Sequence, residues 1–144
     1  QMWKTVVTIM SIMAMAKIMS HSGMIAEIAG MMVALTGSFY PAAAPFVGAI
    51  GTFVTGSGTS ANVLFGGLQV ETAGSLGLDP SWLAGANTVG ATIGKMISPQ
   101  SIAIGTAATA SVGSESKILR KVIKYCVLFI IIAGLVAYAG SRFA

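Results

Sequence analysis

Charged residues are scarce in this sequence, and that shortage is its most informative property. Only 8% of the 144 residues are Asp, Glu, Lys or Arg, whereas a soluble domain carries about 25%. One uncharged stretch extends from Ile28 to Val70. Because 55% of the residues are hydrophobic and the mean hydropathy is +0.85, the composition excludes an ordinary soluble domain and predicts an integral protein of the lipid bilayer.

Cysteine and histidine are nearly absent, with Cys126 and His21 as the single examples. No disulfide can form within the chain, and no cysteine-based metal site is possible. No Gly-x-x-x-x-Gly-Lys-[Ser/Thr] phosphate loop is present, so ATP hydrolysis is not expected. A serine hydrolase built on Ser57 would need a nearby base, and His21 lies far upstream. We therefore predict neither an enzyme nor a bound metal or cofactor.

The net charge of +4 does not indicate a nucleic-acid partner, because half of the basic residues lie in one short stretch. These residues are Lys117, Arg120, Lys121 and Lys124. Positive charge next to an apolar segment marks the cytoplasmic side of a membrane. We therefore predict that this loop is cytoplasmic and that the helix after it runs outward.

The apolar segments predict an all-α transmembrane fold, a helical bundle without strands. As one helix, residues 3–39 would be about 55 Å long, against about 30 Å for the bilayer core. A break is therefore expected near His21–Gly23, and Pro41 and Pro45 are expected to end the second span. The predicted elements are spans at about 3–19, 24–39 and 122–140, a re-entrant hairpin at 46–69 and a broken helix at 82–110.

The hairpin and the broken helix are predicted from interrupted apolar runs. The arms 46–54 and 63–69 are too short to span, so they are expected to enter and leave on one side, with Glu71 to Asp79 as the loop outside. Ala86, Gly90 and Gly94 are spaced four apart, which favours close helix packing. Pro99 then breaks the helical ladder, so two half-helices are expected to meet near it.

A first candidate site is the polar tip of the hairpin, inside the uncharged stretch. Such a loop would be costly against lipid, because its peptide groups would lack water, but it suits a small hydrated cavity. Its hydroxyl, amide and backbone groups can bind a polar ligand, and a half-helix starting near Ala61 would favour an anion. An alternative is a packing kink filled with small polar residues. The candidate substrate-binding residues here are Thr55, Gly56, Ser57, Thr59, Ser60 and Asn62.

A second candidate site is the break in the later helix, with Asn87 upstream of it. Lysine is costly inside a membrane and usually has a partner or a ligand, so Lys95 is a candidate for a substrate carboxylate. The alternative is pairing with a carboxylate or with helix-end carbonyls. The candidate substrate-binding residues of this segment are Lys95, Ser98, Gln100 and Ser101.

His21 and Glu27 form a weaker third set. Both side chains titrate, and histidine can change its charge near physiological pH. They are candidates for proton coupling, although such residues more often simply face water near a helix end.

Two long motifs carry a family resemblance. Gly51–Phe65 (GTFVTGSGTSANVLF) and Ala86–Ile104 (ANTVGATIGKMISPQSIAI) strongly resemble the C-terminal part of the L-lactate permease family. The resemblance implies a bacterial inner-membrane carrier that takes up lactate, and often glycolate, with protons. It also implies one half of an inverted-repeat, ion-transporter-type fold. Family members tend to have an acidic residue where this chain has Gly58 and a serine where it has Ala61.

The combined prediction is the C-terminal transmembrane portion of a longer permease for a small monocarboxylate. The hairpin tip and the Lys95–Ser101 break are expected to face each other near mid-membrane, where they would bind the carboxylate and the 2-hydroxyl group. The expected partners are lactate or a similar monocarboxylate, protons, the lipid bilayer and the remaining N-terminal part. The alternatives are a sodium-coupled carboxylate carrier, a cation/proton antiporter, or an inactive fragment or membrane scaffold.

Overall fold

The computed structural model describes residues 2–111 and 113–143, and this part of the chain is helical without strands. The α-helices are α1 (Met2–His21), α2 (Met24–Thr36), α3 (Tyr40–Thr55), α4 (Gly58–Leu76), α5 (Pro80–Lys95), α6 (Pro99–Ala108) and α7 (Glu115–Gly140), with a 3-10 turn at Gly37–Phe39. The all-α prediction is therefore confirmed.

Among the residues that the structure describes, two stretches are long and apolar enough to cross a membrane, judged by length and composition. Met24–Thr55, which comprises α2, the 3-10 turn and α3, has 32 residues and a mean hydropathy of 1.4. Glu115–Gly140, which is α7, has 26 residues and a mean hydropathy of 2.3. Both fit a helical membrane protein.

The three predicted interruptions are present. Ser22 and Gly23 separate α1 from α2, and Gly56 and Ser57 separate α3 from α4. Residues 96–98 separate α5 from α6. Gly23 and Gly56 have φ angles of 76° and 70°, in the left-handed region that side chains other than glycine rarely adopt. These two glycines therefore permit the turns between α1 and α2 and between α3 and α4.

The prediction that Pro41 and Pro45 end a helix was wrong. Helix α2 already ends at Thr36, and Gly37 follows with a φ of 51°. Pro41 lies in the first turn of α3, where a missing N–H costs nothing because that group would have no helical partner. Pro45 lies inside α3 and removes only the bond to the carbonyl one turn earlier.

The predicted hairpin arms were too short, and the predicted loop after them was too long. Helices α3 and α4 have 16 and 19 residues, or about 24 and 28 Å. Glu71 lies within α4, and α4 ends at Leu76 because Gly77 takes a left-handed cap conformation. Asp79 caps α5, its carboxylate accepting a bond from the Ser81 N–H at 2.9 Å. Only residues 77–79 therefore remain as a loop.

Helices α3 and α5 pack closely and run in the same direction. Added side chains at Gly90 and Gly94 would collide with the backbones of Pro45 and Ala49, respectively. The contact positions on the two helices therefore increase together along the chain. Small residues permit this approach, as the spacing of the glycines predicted.

Helix α7 runs antiparallel to α5. The Cys126 thiol contacts the Ile93 carbonyl at 3.7 Å, and the indole N–H of Trp82 donates to the Ala137 carbonyl at 2.9 Å. Helix α4 returns along α3, with Gly51 against Phe65.

The buried apolar core of the described residues consists of three small clusters. The first contains Tyr40, Ala44, Ala73 and Leu83. The second contains Ile25, Ala29 and Leu68, and the third contains Ala49, Cys126 and Ile130.

Candidate functional site

The two predicted site segments meet where α3 and α5 end. Gly56, after α3, lies directly against the side chain of Gln100 in the first turn of α6, and a side chain at Gly56 would collide with the Gln100 Oε1. Glycine is needed at this position twice over, for its φ angle and for this contact. The polar tip and the break after Lys95 are therefore adjacent in the folded chain.

A cavity of about 340 Å³ opens between α4 and α5 at this level. We call it the α4–α5 cavity, and its lining residues are Gly58, Thr59, Asn62, Thr88, Ala91, Thr92 and Lys95. Its volume suits a small ligand, and its polar lining consists of hydroxyl groups, one amide and one ammonium group.

One helix N-terminus lines this cavity, that of α4 through Gly58 and Thr59, and a second, that of α6, follows the break after Lys95. Helix α4 starts after Ser57, whose hydroxyl accepts a bond from the Ser60 N–H at 3.3 Å. Helix α6 starts after Ser98, which accepts from the Ser101 N–H at 3.3 Å. A helix N-terminus carries partial positive charge. Together with the Lys95 ammonium, these ends favour an anion over a cation.

Several predicted binding residues instead hold the breaks in shape. The Thr55 hydroxyl donates to the Gly51 carbonyl at 2.8 Å, while Ser57 and Ser98 serve as helix caps. Ser98 is fully buried and donates to the Ser101 hydroxyl at 2.9 Å. These hydroxyl groups therefore shape the two breaks, whereas Thr59, Asn62 and Lys95 remain on the wall of the α4–α5 cavity.

Lys95 also lines a second cavity of about 310 Å³ on the α6 side. Ser101 lies on its wall together with Thr106, and the Thr106 hydroxyl bonds to Glu115 at 3.1 Å. Within residues 2–111 and 113–143, Lys95 forms no ion pair with a carboxylate. Its ammonium group is therefore available to a ligand in either cavity.

A row of hydrogen-bonded side chains leads from the core to the α4–α5 cavity. Tyr40 donates to the Gln69 Oε1 at 3.0 Å. The Gln69 amide donates to the Asn87 Oδ1 at 3.1 Å, and Asn87 donates to the Asn62 Oδ1 at 2.9 Å. Tyr40, Gln69 and Asn87 are at most 1% exposed. These bonds satisfy polar groups that would be costly to bury unpaired.

The comparisons with known proteins identify the family. The family profile described as L-lactate permease matches residues 1–142. The chain belongs to the L-lactate permease family. The L-lactate permease of Bacillus subtilis strain 168 is 43% identical over 133 residues, which cover 92% of this chain and 23% of that protein. Glycolate permease GlcA of Escherichia coli K12 is 42% identical over 131 residues, 91% of this chain and 23% of that protein.

A shorter match has higher identity. The L-lactate permease of Streptococcus iniae is 59% identical over 81 residues, which cover 56% of this chain and 17% of that protein. The chain thus spans less than a quarter of the length of these curated relatives. No solved structure gives a significant match. All three relatives are named as permeases, which agrees with the prediction that this chain of the L-lactate permease family is not an enzyme.

Sequence reasoning missed two lining residues of the α4–α5 cavity, Thr88 and Thr92. A detectable signal exists, because Thr88, Thr92 and Lys95 recur at the spacing of one helical face. The two hydroxyl groups donate to the carbonyls of Ala84 and Thr88 at 2.9 and 3.0 Å. Each oxygen can still accept a bond from a ligand hydroxyl group.

His21 and Glu27 are not brought to the α4–α5 cavity. His21 ends α1 and Glu27 lies in the first turn of α2, and both side chains are exposed. Neither residue lines the cavities that contain Lys95. Their role in proton coupling remains a prediction.

Proposed function

We propose that this chain is the C-terminal transmembrane portion of a multi-pass permease of the bacterial plasma membrane. Its substrate class is small 2-hydroxy monocarboxylates, lactate and possibly glycolate-sized acids, carried by proton symport. The family assignment and the names of the relatives support this proposal. The observation that carries it is the α4–α5 cavity, which Thr59 and Asn62 line from α4 and Lys95 lines from α5.

The lining groups of the α4–α5 cavity suit the two ends of such a substrate. The Lys95 ammonium and the N-terminus of α4 favour the carboxylate, because both present positive charge and N–H donors. The hydroxyl oxygens of Thr88 and Thr92 have remaining acceptor capacity for the 2-hydroxyl group. A small hydroxy acid could thus be bound without an acidic side chain in the cavity wall.

The proposed membrane orientation follows from charge. The basic residues at the start of α7 favour a cytoplasmic location for that end, so α7 runs outward. Helices α3 and α5, which run with each other and against α7, then run inward. In this arrangement α3 and α4 form a re-entrant hairpin that opens outside, as one half of an inverted repeat. Alternating access would move this half against the remaining N-terminal part of the permease.

None of the seven described lining residues of the α4–α5 cavity is acidic, and Lys95 is assigned to the substrate carboxylate, so we place proton coupling at a titratable group outside the cavity. Gly58 stands where family resemblance implies an acid. The candidates within this chain are His21 and Glu27. A sodium-coupled carrier of the same architecture remains the alternative, and a dependence of uptake on sodium rather than on a proton gradient separates the two.

The proposal is tested by uptake of labelled L-lactate in vesicles that contain the full-length permease. We expect Lys95→Ala to lower kcat/KM about tenfold or more, since a bond to a charged group contributes about 1.5–3 kcal/mol. Ser98→Ala should lower uptake less, because it removes a helix cap worth about 1 kcal/mol. Lys17→Ala, an exposed lysine on α1, is the matched control. Normal uptake by both Lys95→Ala and Ser98→Ala would rule out this site.

A further inference from the structure

The row Tyr40–Gln69–Asn87–Asn62, which we call the amide relay, has a direction. Each amide has one accepting and one donating end. Gln69 accepts from Tyr40 and donates to Asn87, and Asn87 accepts from Gln69 and donates to Asn62. Every donor thus points from the core towards Asn62. The relay begins with a phenol hydroxyl group in α3 and ends at the α4–α5 cavity.

The direction of the relay determines which end of Asn62 is available to a ligand. The Asn62 Oδ1 accepts the bond from Asn87 at 2.9 Å, so its carbonyl end is occupied. Asn62 also lines the α4–α5 cavity, and its Nδ2 group forms no hydrogen bond with the side chains that the structure describes. The two N–H donors of the Asn62 side chain are therefore available to a ligand in the α4–α5 cavity.

We propose that the amide relay is a specificity device: Tyr40, Gln69 and Asn87 are positioning residues that hold the Asn62 amide as a donor for an anionic ligand. This inference rests on the proposed function for the ligand, a small carboxylate, but not for the relay itself. If Asn62 alone were reversed, with Gln69 and Asn87 as observed, its NH2 group would lie against the NH2 group of Asn87. Two donors would then face each other in a poorly solvated place, which is unfavourable.

The direction of the relay also distinguishes an anion site from a cation site at this cavity. A sodium ion is bound by oxygen atoms such as carbonyls and hydroxyls, and an Asn62 held with its carbonyl inward could supply one. The observed direction instead adds N–H donors to a wall that already contains the Lys95 ammonium. The ammonium group, the amide N–H donors and the helix N-terminus favour carboxylate oxygens, and the threonine hydroxyl groups beside them can donate or accept.

The test is a double-variant cycle in the full-length permease with Tyr40→Phe and Asn62→Ala, with the KM for L-lactate and the melting temperature as readouts. Tyr40→Phe keeps the buried ring and removes only the first donor. Alone it should raise KM about two- to tenfold, the effect of one neutral hydrogen bond, with kcat unchanged. In the Asn62→Ala background it should have no further effect on KM. Tyr125→Phe, at an exposed position of α7, is the matched control.

An unchanged KM in Tyr40→Phe, or an equal increase in both backgrounds, would overturn the relay. Asn62→Asp provides a second variant, because its carboxylate still accepts from Asn87 but replaces the donor with an acceptor. It should raise KM more than tenfold without loss of folded protein, and normal KM would contradict the donor role.

Absence of lactate uptake by the unsubstituted permease would refute the proposed function. The amide relay would then be tested by the melting temperatures of the variants alone. Tyr40 and Asn62 are not bonded to each other directly, so independent effects should add. The relay predicts that the melting-temperature shift of the double variant differs from the sum of the shifts of the two single variants. A double-variant shift equal to that sum would refute the relay.

Discussion

Some residues of the candidate site stand out in the sequence, whereas others become evident only in the folded chain. The conspicuous ones are Lys95, Thr59 and Asn62. A lysine and a polar run inside an apolar sequence are conspicuous, so all three could be predicted as candidates, and all three line the α4–α5 cavity. The amide relay could not, because Gln69 and Asn87 are ordinary single polar residues until the facing surfaces of α4 and α5 are known. The capping roles of Ser57 and Ser98 were likewise hidden, since a cap and a ligand use the same hydroxyl group.

At the residue scale, Gly56→Ala should impair the site. The substitution adds a methyl group against Gln100 and places alanine at a φ of 70°, which costs about 1–2 kcal/mol from backbone strain alone. We expect at least a fivefold loss of lactate uptake in vesicles and a lower melting temperature. Gly66→Ala is the control, because its added methyl group meets nothing within 4 Å. Equal behaviour of the two variants would refute this role of Gly56.

At the scale of elements, the sequence indicated the breaks and the glycine face of α5 because glycine, proline and capping residues act locally. Helix lengths were less predictable. Pro45 is tolerated within α3, and Glu71 continues α4, because the local cost of each is small and packing against neighbouring helices decides the outcome. The parallel alignment of α3 and α5, which brings their ends together, depends on contacts between segments distant in sequence.

Close packing of α3 on α5 gives a prediction at this scale. Gly90→Ala places a methyl group against the Pro45 carbonyl, so the helices must separate. Overpacking of this kind costs about 1–3 kcal/mol, and a lower melting temperature of the purified permease in detergent is expected. Gly85→Ala on the same helix meets nothing within 4 Å and should melt at or above the unsubstituted temperature. A Gly90→Ala melting temperature as high as that of Gly85→Ala would show that this contact is not tight.

At the scale of the whole molecule, a chain of the L-lactate permease family forms a cavity between α4 and α5 that is lined by the first turn of α4, the threonine face of α5 and Lys95. The chain spans less than a quarter of the length of the curated relatives it matches, and the proposed membrane orientation and inverted repeat concern a protein of that length. The local chemistry is more self-contained, because the α4–α5 cavity is formed by residues 58–95 alone. The central claim is therefore that this cavity binds the carboxylate substrate.

Protection from thiol labelling tests that claim most directly. Thr92→Cys is introduced into a full-length permease in which Cys126 is replaced by serine, and its reaction rate with a small methanethiosulfonate reagent is measured with and without L-lactate. Ala103→Cys, exposed on α6, is the control position. The account predicts that saturating lactate slows labelling at Thr92→Cys severalfold and leaves Ala103→Cys unchanged. Equal labelling of Thr92→Cys with and without lactate, in a permease that still takes up lactate, would contradict it.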